Sequence, residues 1–432
     1  MSGPAHLPRL RPLHSRKNPI LAALDVGTSK IVCLIVRLER VDAKNRTGCR
    51  ILGIGHQRSR GVKAGQIVDM EEAETAIRLA VDAAERMAGV QIEQVVVSAS
   101  GGRIGSQHFT AKVAVGDRTV SESDIHRVLE ASCLRTGAPG RAVLHSLPTR
   151  FSLDNADGIA DPRGMIGAEL GADLHVASCD IPAIRNLALA VERCHLGVEA
   201  FVASPYASAL STLAEDEAEI GATLMDFGGG STSIAVFAQG ALIHLDSFGV
   251  GGQHVTLDIA RGLNVKLSNA ERLKTLYGSA IASSSDERET VAIEPVGEER
   301  GQSAHVPRSH LVRIIRPRVE EIMELARDRL RAAGYPAHAG TRLVLTGGAS
   351  QLTGLPETAR RILSGQARLG RPMSVPGLPE SGKSPAFSAA VGLLAYPQVA
   401  DKEHFEPSRA RPVSKHGEGY IGRVGRWLKE SF

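Results

Sequence analysis

The sequence predicts an α/β protein of two duplicated lobes around a central cleft, with a small α+β subdomain inserted into the first lobe and an amphipathic helix at the C-terminus. Three observations carry this. Two apolar runs, residues 20–24 and 30–36, flank the turn Asp25-Val26-Gly27-Thr28-Ser29, and strand, polar turn and strand make a β-hairpin. The same pattern returns 201 positions later, where Thr223-Leu224-Met225 leads into Asp226-Phe227-Gly228-Gly229-Gly230-Ser231-Thr232 and residues 233–237 lead away. A third glycine turn, Thr346-Gly347-Gly348-Ala349-Ser350, follows the apolar Leu343-Val344-Leu345. Two like hairpins half a chain apart indicate a duplicated architecture with two-fold pseudo-symmetry.

The remaining elements follow in order. Residues 1–19 set His6, Arg9, Arg11, His14, Arg16 and Lys17 among four prolines, a composition expected to stay a disordered basic tail. Residues 71–87 carry Ala73, Ile77, Ala80, Val81, Ala84 and Met87 at helical spacing, and residues 94–99 return to strand. Residues 121–135 open Ser-Glu-Ser-Asp and continue as a capped amphipathic helix. Strand candidates lie around it at 110–115, 142–153 and 173–180. The first lobe core therefore takes residues 20–97 and 179–210, interrupted by the insert 98–178. The second lobe core takes 211–262 and 341–397, with a subdomain at 263–340. Within the latter, the polar stretch 279–309 is expected to be a flexible loop. A helix is expected over 355–363. Residues 398–417, charged and Pro-containing without periodicity, are expected to form a flexible linker to a helix over 418–432.

Composition bounds the function. A chain of 432 residues, 43% of them apolar, can bury two sizeable cores. A net charge of +4 supplies no general basic field, so nucleic acid is not expected as a partner. The five cysteines are odd in number, far apart and without a CxxC pair, as in a protein kept reduced. No stretch approaches the roughly 20 apolar residues of a membrane span, and no secretory signal opens the sequence.

The glycine turns carry the chemistry. Glycine lets backbone N–H groups approach phosphate oxygens closely, where a Cβ would hold the ligand off. The phosphate-binding candidates are Asp25, Gly27, Thr28, Ser29 and Lys30 in the first turn, and Asp226, Gly228, Gly229, Gly230, Ser231 and Thr232 in the second. Hydroxyls of Thr28, Ser29, Ser231 and Thr232 add donors, and Lys30 is placed either to neutralise β- or γ-phosphate charge or to point to solvent. Asp25 and Asp226 would face each other across a triphosphate, which requires a cation between them. Mg²⁺, held directly or through water, is the natural one. ATP with Mg²⁺ is therefore the expected cofactor.

Taken together, these turns resemble the actin, Hsp70 and sugar-kinase superfamily, with phosphate loops at 25–30 and 226–232 and an adenosine loop at 346–350. Ala270-Glu271-Arg272-Leu273-Lys274 is similar to the Glu-x-x-Lys helix that holds ribose and adenine in bacterial actins. The resemblance thus makes Glu271, Lys274, Gly347, Gly348 and Ala349 the adenosine contacts. Ser204-Pro205-Tyr206-Ala207-Ser208-Ala209 and residues 385–392 look like the two connecting helices of the interdomain hinge. Within the superfamily the chain resembles the FtsA family of bacterial cell-division proteins. Val95-Val96-Val97-Ser98-Ala99-Ser100-Gly101-Gly102 opens the insertion that this family calls 1C, and residues 251–260 are similar to its segment after the second phosphate loop. That resemblance implies an actin-like, ATP-binding scaffold that polymerises with itself, binds the C-terminal tail of FtsZ, tethers the FtsZ ring to the membrane and recruits later division proteins. It also implies that subdomain 2B, here 263–340, docks the tail, with Arg308, Arg316 and Arg318 meeting its acidic groups.

The C-terminal segment supports attachment on its own terms. Tyr420, Ile421, Val424, Trp427, Leu428 and Phe432 recur at spacings of three and four, flanked by Arg423, Arg426 and Lys429. A helix of about 20 Å is too short to cross a bilayer but lies well in its interface. Ile421, Arg423, Val424, Arg426, Trp427, Leu428, Lys429 and Phe432 are the expected contacts with anionic lipid. The resemblance places the protein at the cytoplasmic face of the inner membrane, at the division septum. Hydrolysis is expected to be slow: where the fold commonly supplies a Gln or acidic residue to orient water, this chain has Ser204-Pro205. The rival readings are a pilus-assembly actin homologue, a sugar or acetate kinase, and an Hsp70-type chaperone. The terminal helix weighs against the first, the lack of a marked base and substrate pocket against the second, and the short stretch after Pro397 against the third.

Overall fold

The structure, a computed structural model, describes residues 7–10, 19–40, 47–133, 138–296, 304–336 and 341–405. The expected membrane helix and most of the linker lie outside them. The chain begins with a meander of β1 (Ile20–Val26), β2 (Lys30–Arg40) and β3 (Thr47–Arg58), then a tight hairpin of β4 (Val62–Lys63) and β5 (Gln66–Ile67), α1 (Met70–Ala88) and β6 (Gln94–Ala99). The insert holds β7 (Gly105–Thr119), α2 (Glu122–Cys133), β8 (Arg141–Leu153), β9 (Ala156–Ile159) and β10 (Ile166–Asp180). Then α3 (Ile181–Glu192), β11 (Gly197–Ala203), α4 (Ser204–Thr212) and the short α5 (Glu215–Ile220) lead out of lobe 1. Lobe 2 comprises β12 (Ala222–Phe227), β13 (Thr232–Ala238), β14 (Ala241–Phe248), α6 (Gly252–Gly262) and α7 (Leu267–Tyr277). It continues with β15 (Thr290–Ile293), β16 (Ala304–Pro307), α8 (Arg308–Ala332), β17 (Arg342–Thr346), α9 (Leu355–Leu363), β18 (Gln366–Leu369) and α10 (Ser388–Ala395).

The predicted duplication is explicit in the sheets. Lobe 1 has the order β11-β6-β1-β2-β3, and lobe 2 repeats it as β18-β17-β12-β13-β14. In each, the strand carrying the aspartate is antiparallel to the next strand and parallel to the strand on its other side. Both aspartate strands are almost wholly buried, as expected of central strands covered on two faces. The lobe 2 sheet runs on through β14 into β7, β10, β8 and β9 of the insert, joined at the pairing Asp246↔Gly105.

Local chemistry accounts for these elements. In α1 the Asp69 carboxylate accepts the N–H of Glu72 at 3.0 Å, and Gly89 ends the helix in the left-handed region at φ 68°. Its alanine face lies directly on β3, because a Cβ on Gly55 would stand 1.7 Å from the Ala80 carbonyl oxygen. The hinge is made the same way. On α10 a Cβ at Gly392 would stand 1.7 Å from the Ala207 oxygen of α4, so the connecting helices cross backbone to backbone.

Three segments differ from the sequence reading. Residues 7–10, assigned to the disordered tail 1–19, are packed: Leu7 is buried, and the Arg9 guanidinium donates to the carbonyls of Leu144 and Val143 at 2.7 and 2.9 Å. Residues 399–405, assigned to the linker 398–417, also pack, because the Glu403 carboxylate meets His145 at 2.8 Å with both side chains fully buried. The stretch 279–309, expected to be a loop, contains the β15–β16 hairpin and a buried Asp286 that accepts the Ser283 N–H at 2.7 Å. In each case one charged side chain fixes a segment whose average composition is polar.

Candidate functional site

Both aspartate turns close as the sequence pattern requires. The N–H of Gly27 donates to the Lys30 carbonyl at 3.0 Å, and the N–H of Gly228 donates to that of Ser231 at 2.9 Å. The two turns also touch each other across the cleft. A Cβ on Gly229 would stand 2.0 Å from Ser29 Oγ, and one on Gly230 would stand 2.8 Å from the Ala64 nitrogen and 2.9 Å from Thr28 Oγ1. The glycines therefore serve loop-to-loop approach as well as access to a ligand.

Each carboxylate is held by a serine that the sequence did not single out for this. Ser98, at the end of β6, donates its hydroxyl to Asp25 Oδ1 at 2.5 Å. Ser208, on the second turn of α4, donates to Asp226 Oδ2 at 2.6 Å. Surrounding protein pushes the Asp226 carboxyl from its ordinary 3.8 up to about 6; the Ser208 hydroxyl works against this shift, the Asp25 charge adds to it and Lys30 opposes it. The main cause is burial, which disfavours the charged form. Lys30 Nζ meets the Ala386 carbonyl and stands 5.0 Å over the Phe387 ring, so the first turn is tied to the segment entering α10.

The elements predicted to hold adenosine converge on the same place. Lys274 Nζ donates to the Gly252 carbonyl at 3.1 Å, to Thr256 Oγ1 at 2.9 Å and to Glu271 Oε2 at 2.8 Å. Gly252 opens α6 against the second phosphate turn, its N–H donating to the Gly228 carbonyl at 3.0 Å, and a Cβ on it would lie 2.7 Å from Ala349 Cβ. Gly347 adopts φ 85°, and a Cβ there would stand 2.3 Å from Asp226 Oδ1. The third turn thus rests directly on the second aspartate.

Other predicted residues are placed differently. Thr232 is fully buried and donates its hydroxyl to the Val250 carbonyl at 2.7 Å, so its side chain faces into lobe 2 instead of toward a phosphate. Arg308, Arg316 and Arg318 all lie on α8 with carboxylate partners. Arg308 meets Asp286 at 2.9 Å, Arg316 meets Glu320 at 2.8 Å, and Arg318 meets Asp258 at 2.6 Å and also Glu321. Asp286 has 3% of its side chain exposed, so Arg308→Ala leaves a buried carboxylate without its cation. We expect a loss of about 3 kcal/mol in urea unfolding, whereas Arg316→Ala on the surface should cost under about 1 kcal/mol. The predicted lipid contacts Ile421, Arg423, Val424, Arg426, Trp427, Leu428, Lys429 and Phe432 lie outside the described residues.

One contributor was missed altogether. The β4–β5 hairpin lies over the first phosphate turn, with the Gly65 N–H donating to Thr28 Oγ1 at 3.0 Å. Its turn has Ala64 at φ 47° and Gly65 at φ 73°. The signal was present in Gly61-Val62-Lys63-Ala64-Gly65, two glycines bracketing a short apolar and basic stretch.

Comparison with known proteins agrees with this geometry. The family model described as Cell division protein FtsA matches residues 223–392, and that described as SHS2 domain inserted in FTSA matches residues 101–178, the span of β7 to β10. Cell division protein FtsA of Rhizobium meliloti (strain 1021) is 50% identical over 432 residues, covering 99% of this chain and 98% of that protein. The Escherichia coli (strain K12) protein of the same name is 32% identical, covering 96% and 98%. Among solved structures, the PilM-PilN type IV pilus biogenesis complex aligns with a TM-score of 0.58 at 16% identity, over 87% of this chain and 98% of that one. MreB5 of Spiroplasma citri bound to ADP aligns at 0.51 and 14% identity, over 90% and 98%. These two likenesses concern the actin-like fold alone. Half-identity sustained along the whole chain, with the inserted subdomain in its expected place, makes this chain a member of the FtsA family of cell division proteins.

Proposed function

We propose that this chain binds ATP with Mg²⁺ in its cleft, assembles with copies of itself, and tethers the FtsZ ring to the inner face of the cytoplasmic membrane while helping to recruit later division proteins. The observation that carries the reading is the convergence of three glycine turns and two serine-held carboxylates on one cleft in an FtsA-family chain. Asp25 and Asp226 suit an ion that takes one or two carboxylates and fills its shell with water and phosphate oxygens. Among the described residues no group of three or more acidic, His or Cys side chains would hold a metal by itself, so the ion would arrive with the nucleotide. When bound, Mg²⁺ would neutralise charge between the carboxylates and the phosphates. The backbone N–H groups of both turns, with Thr28, Ser29 and Ser231, would then orient the triphosphate. Lys274 and Glu271, beside Gly347, Gly348 and Ala349, would hold the nucleoside.

Turnover is slow in this reading. Ser204 opens α4 with 7% of its surface exposed, and a serine is a poor base for an attacking water. The nucleotide acts as a latch that fixes lobe orientation for assembly. Rapid Mg²⁺-dependent hydrolysis, lost on changing Asp226, would contradict this.

Attachment rests on the 420–432 pattern. Five or six apolar side chains, each contributing up to about 1.5–3 kcal/mol, are offset by ordering the helix. Three basic residues add about 1 kcal/mol each on anionic lipid. One anchor binds reversibly, and linked subunits share many. Sedimentation with anionic liposomes tests it: the full chain should pellet, and a chain ending at Lys415 should bind about tenfold less or weaker still. Equal sedimentation of both removes the anchor. On α8, Arg316 has half its side chain exposed, which favours it over Arg308 and Arg318 as the contact for an acidic tail. Arg316→Glu should weaken capture of the FtsZ tail peptide, and unchanged affinity would remove that residue.

A further inference from the structure

The two ends of the described chain meet in a buried cluster behind the hinge. Arg9 donates to the carbonyls of Val143 and Leu144 on β8 and lies 3.4 Å over the Phe405 ring. The next residue of β8, His145, meets the Glu403 carboxylate through Nδ1 at 2.8 Å. Its Nε2 accepts the backbone N–H of Ala203, the residue before α4, at 2.8 Å. With Nε2 accepting, the ring proton sits on Nδ1 and is donated to Glu403. The His145 ring also packs against Tyr206 of α4 at 4.9 Å and against Tyr396, just beyond α10, at 5.8 Å. The His404 N–H donates to the Ser146 carbonyl at 2.8 Å, fixing residues 399–405 along the same strand.

Both hinge helices have one end in this cluster and the other part in the cleft. Helix α4 starts at the Ala203–His145 bond and carries Ser208, which holds Asp226. Helix α10 starts at Ser388, whose hydroxyl meets Thr346 Oγ1 at 2.6 Å beside the adenosine turn, and runs into Tyr396. A helix of eight residues is a rigid strut of about 12 Å, so a shift at one end is felt at the other.

We propose that Arg9, His145, Glu403 and Phe405 form a clasp that couples the segment leading to the C-terminal tail with the nucleotide cleft, through α4 and α10. Nucleotide closes the clasp, and a closed clasp favours nucleotide, as linkage requires. The further step, from tail to membrane, rests on the function proposed above.

Hydrogen exchange and nucleotide titration on the full chain test the coupling. Mg²⁺ with a non-hydrolysable ATP analogue should slow exchange of residues 399–405 in the wild type. Glu403→Ala and Arg9→Ala should bind the analogue about fivefold more weakly or worse. Glu403→Gln, whose amide oxygen still accepts from His145, should bind within about twofold of wild type. If Glu403→Ala does not fold, Arg9→Ala decides the affinity half. The proposal falls if exchange at 399–405 is indifferent to the analogue, or if the folded variants bind it as the wild type does. Failure of the wild type to bind the analogue at all would instead overturn the cleft reading, and the coupling with it. Vesicles of phosphatidylglycerol and phosphatidylethanolamine should then raise analogue affinity in the wild type but not in Arg9→Ala. Vesicles that do not bind the wild type would sink the membrane reading and leave the exchange result to decide the clasp.

Discussion

Asp226→Asn is expected to make the ligand-free protein more stable at pH 7 while reducing its affinity for Mg²⁺ and ATP by about a hundredfold. The folded-state pKa of Asp226, about 6, lies above its ordinary 3.8. A raised carboxyl pKa means that the folded chain holds the proton more tightly than the unfolded chain does. The resulting stabilisation is complete below about pH 3.8 and is lost as pH rises through about 6, so at pH 7 the ionised group costs up to about 3 kcal/mol relative to its neutral form. Part of the residue still faces the cleft, which keeps the measured difference below that ceiling. Asparagine keeps the shape and can still accept from Ser208, but it carries no charge. The advantage of the variant should therefore be largest above pH 6 and shrink toward pH 4. If Asp226 holds the cation as proposed, loss of its charge, worth roughly 3 kcal/mol, accounts for the hundredfold in affinity. Calorimetric melting at the two pH values and titration with Mg²⁺ and ATP check both halves. Equal melting at pH 7 would show that Asp226 is not a strained charge, and unchanged affinity would remove it from the cation site.

Gly347→Ala should unfold the turn at 346–350 or the lobe around it. A side chain at φ 85° is strained, at about 1–2 kcal/mol, and its Cβ would stand 2.3 Å from Asp226 Oδ1 and 2.5 Å from the Phe227 carbonyl oxygen. Neither atom moves freely, since Asp226 is held by Ser208 and Phe227 lies in β12. We expect a loss of about 3 kcal/mol or more and no measurable nucleotide binding. The neighbouring Gly348→Ala is the control. Its Cβ would meet only Ala386 Cβ, at an ordinary 3.7 Å, and its melting should stay within about 1 kcal/mol of wild type. Equal effects of the two substitutions would show that backbone conformation and close approach at Gly347 do not matter. Chemical denaturation and fluorescent nucleotide titration separate the outcomes.

Much of this architecture was legible because its signals are local. A hairpin needs turn residues between apolar runs, so residues 20–36 and 223–237 declared their strands without reference to anything distant. Helix α1 was legible from its alanine and isoleucine spacing and α9 from the segment after the third turn, with α9 matching residues 355–363. In the insert, the reading of 142–153 matches β8 (Arg141–Leu153), whereas β7 and β10, each of 15 residues, were read too short. The ends of β7 are largely exposed, and the missed first half of β10 is interrupted by two glycines, so neither shows the apolar alternation that marks a strand in a sequence.

The sequence by itself determined the duplicated lobes, the position of the insert, the three glycine turns and the two aspartates, because each depends on neighbours within a few residues along the chain. Only the tertiary structure decided which groups those aspartates meet. Ser98 and Ser208 lie 73 and 18 positions from their carboxylates, and no local pattern distinguishes them from other small buried residues. The same holds for Thr232, turned inward by a carbonyl 18 residues away, and for the arginines of α8, engaged by carboxylates of their own chain. It holds most of all for Arg9 and Glu403, whose segments are polar and proline-containing yet are fixed by partners more than 130 positions distant. Composition averages over a segment, whereas one buried charge with the right partners is enough to order it.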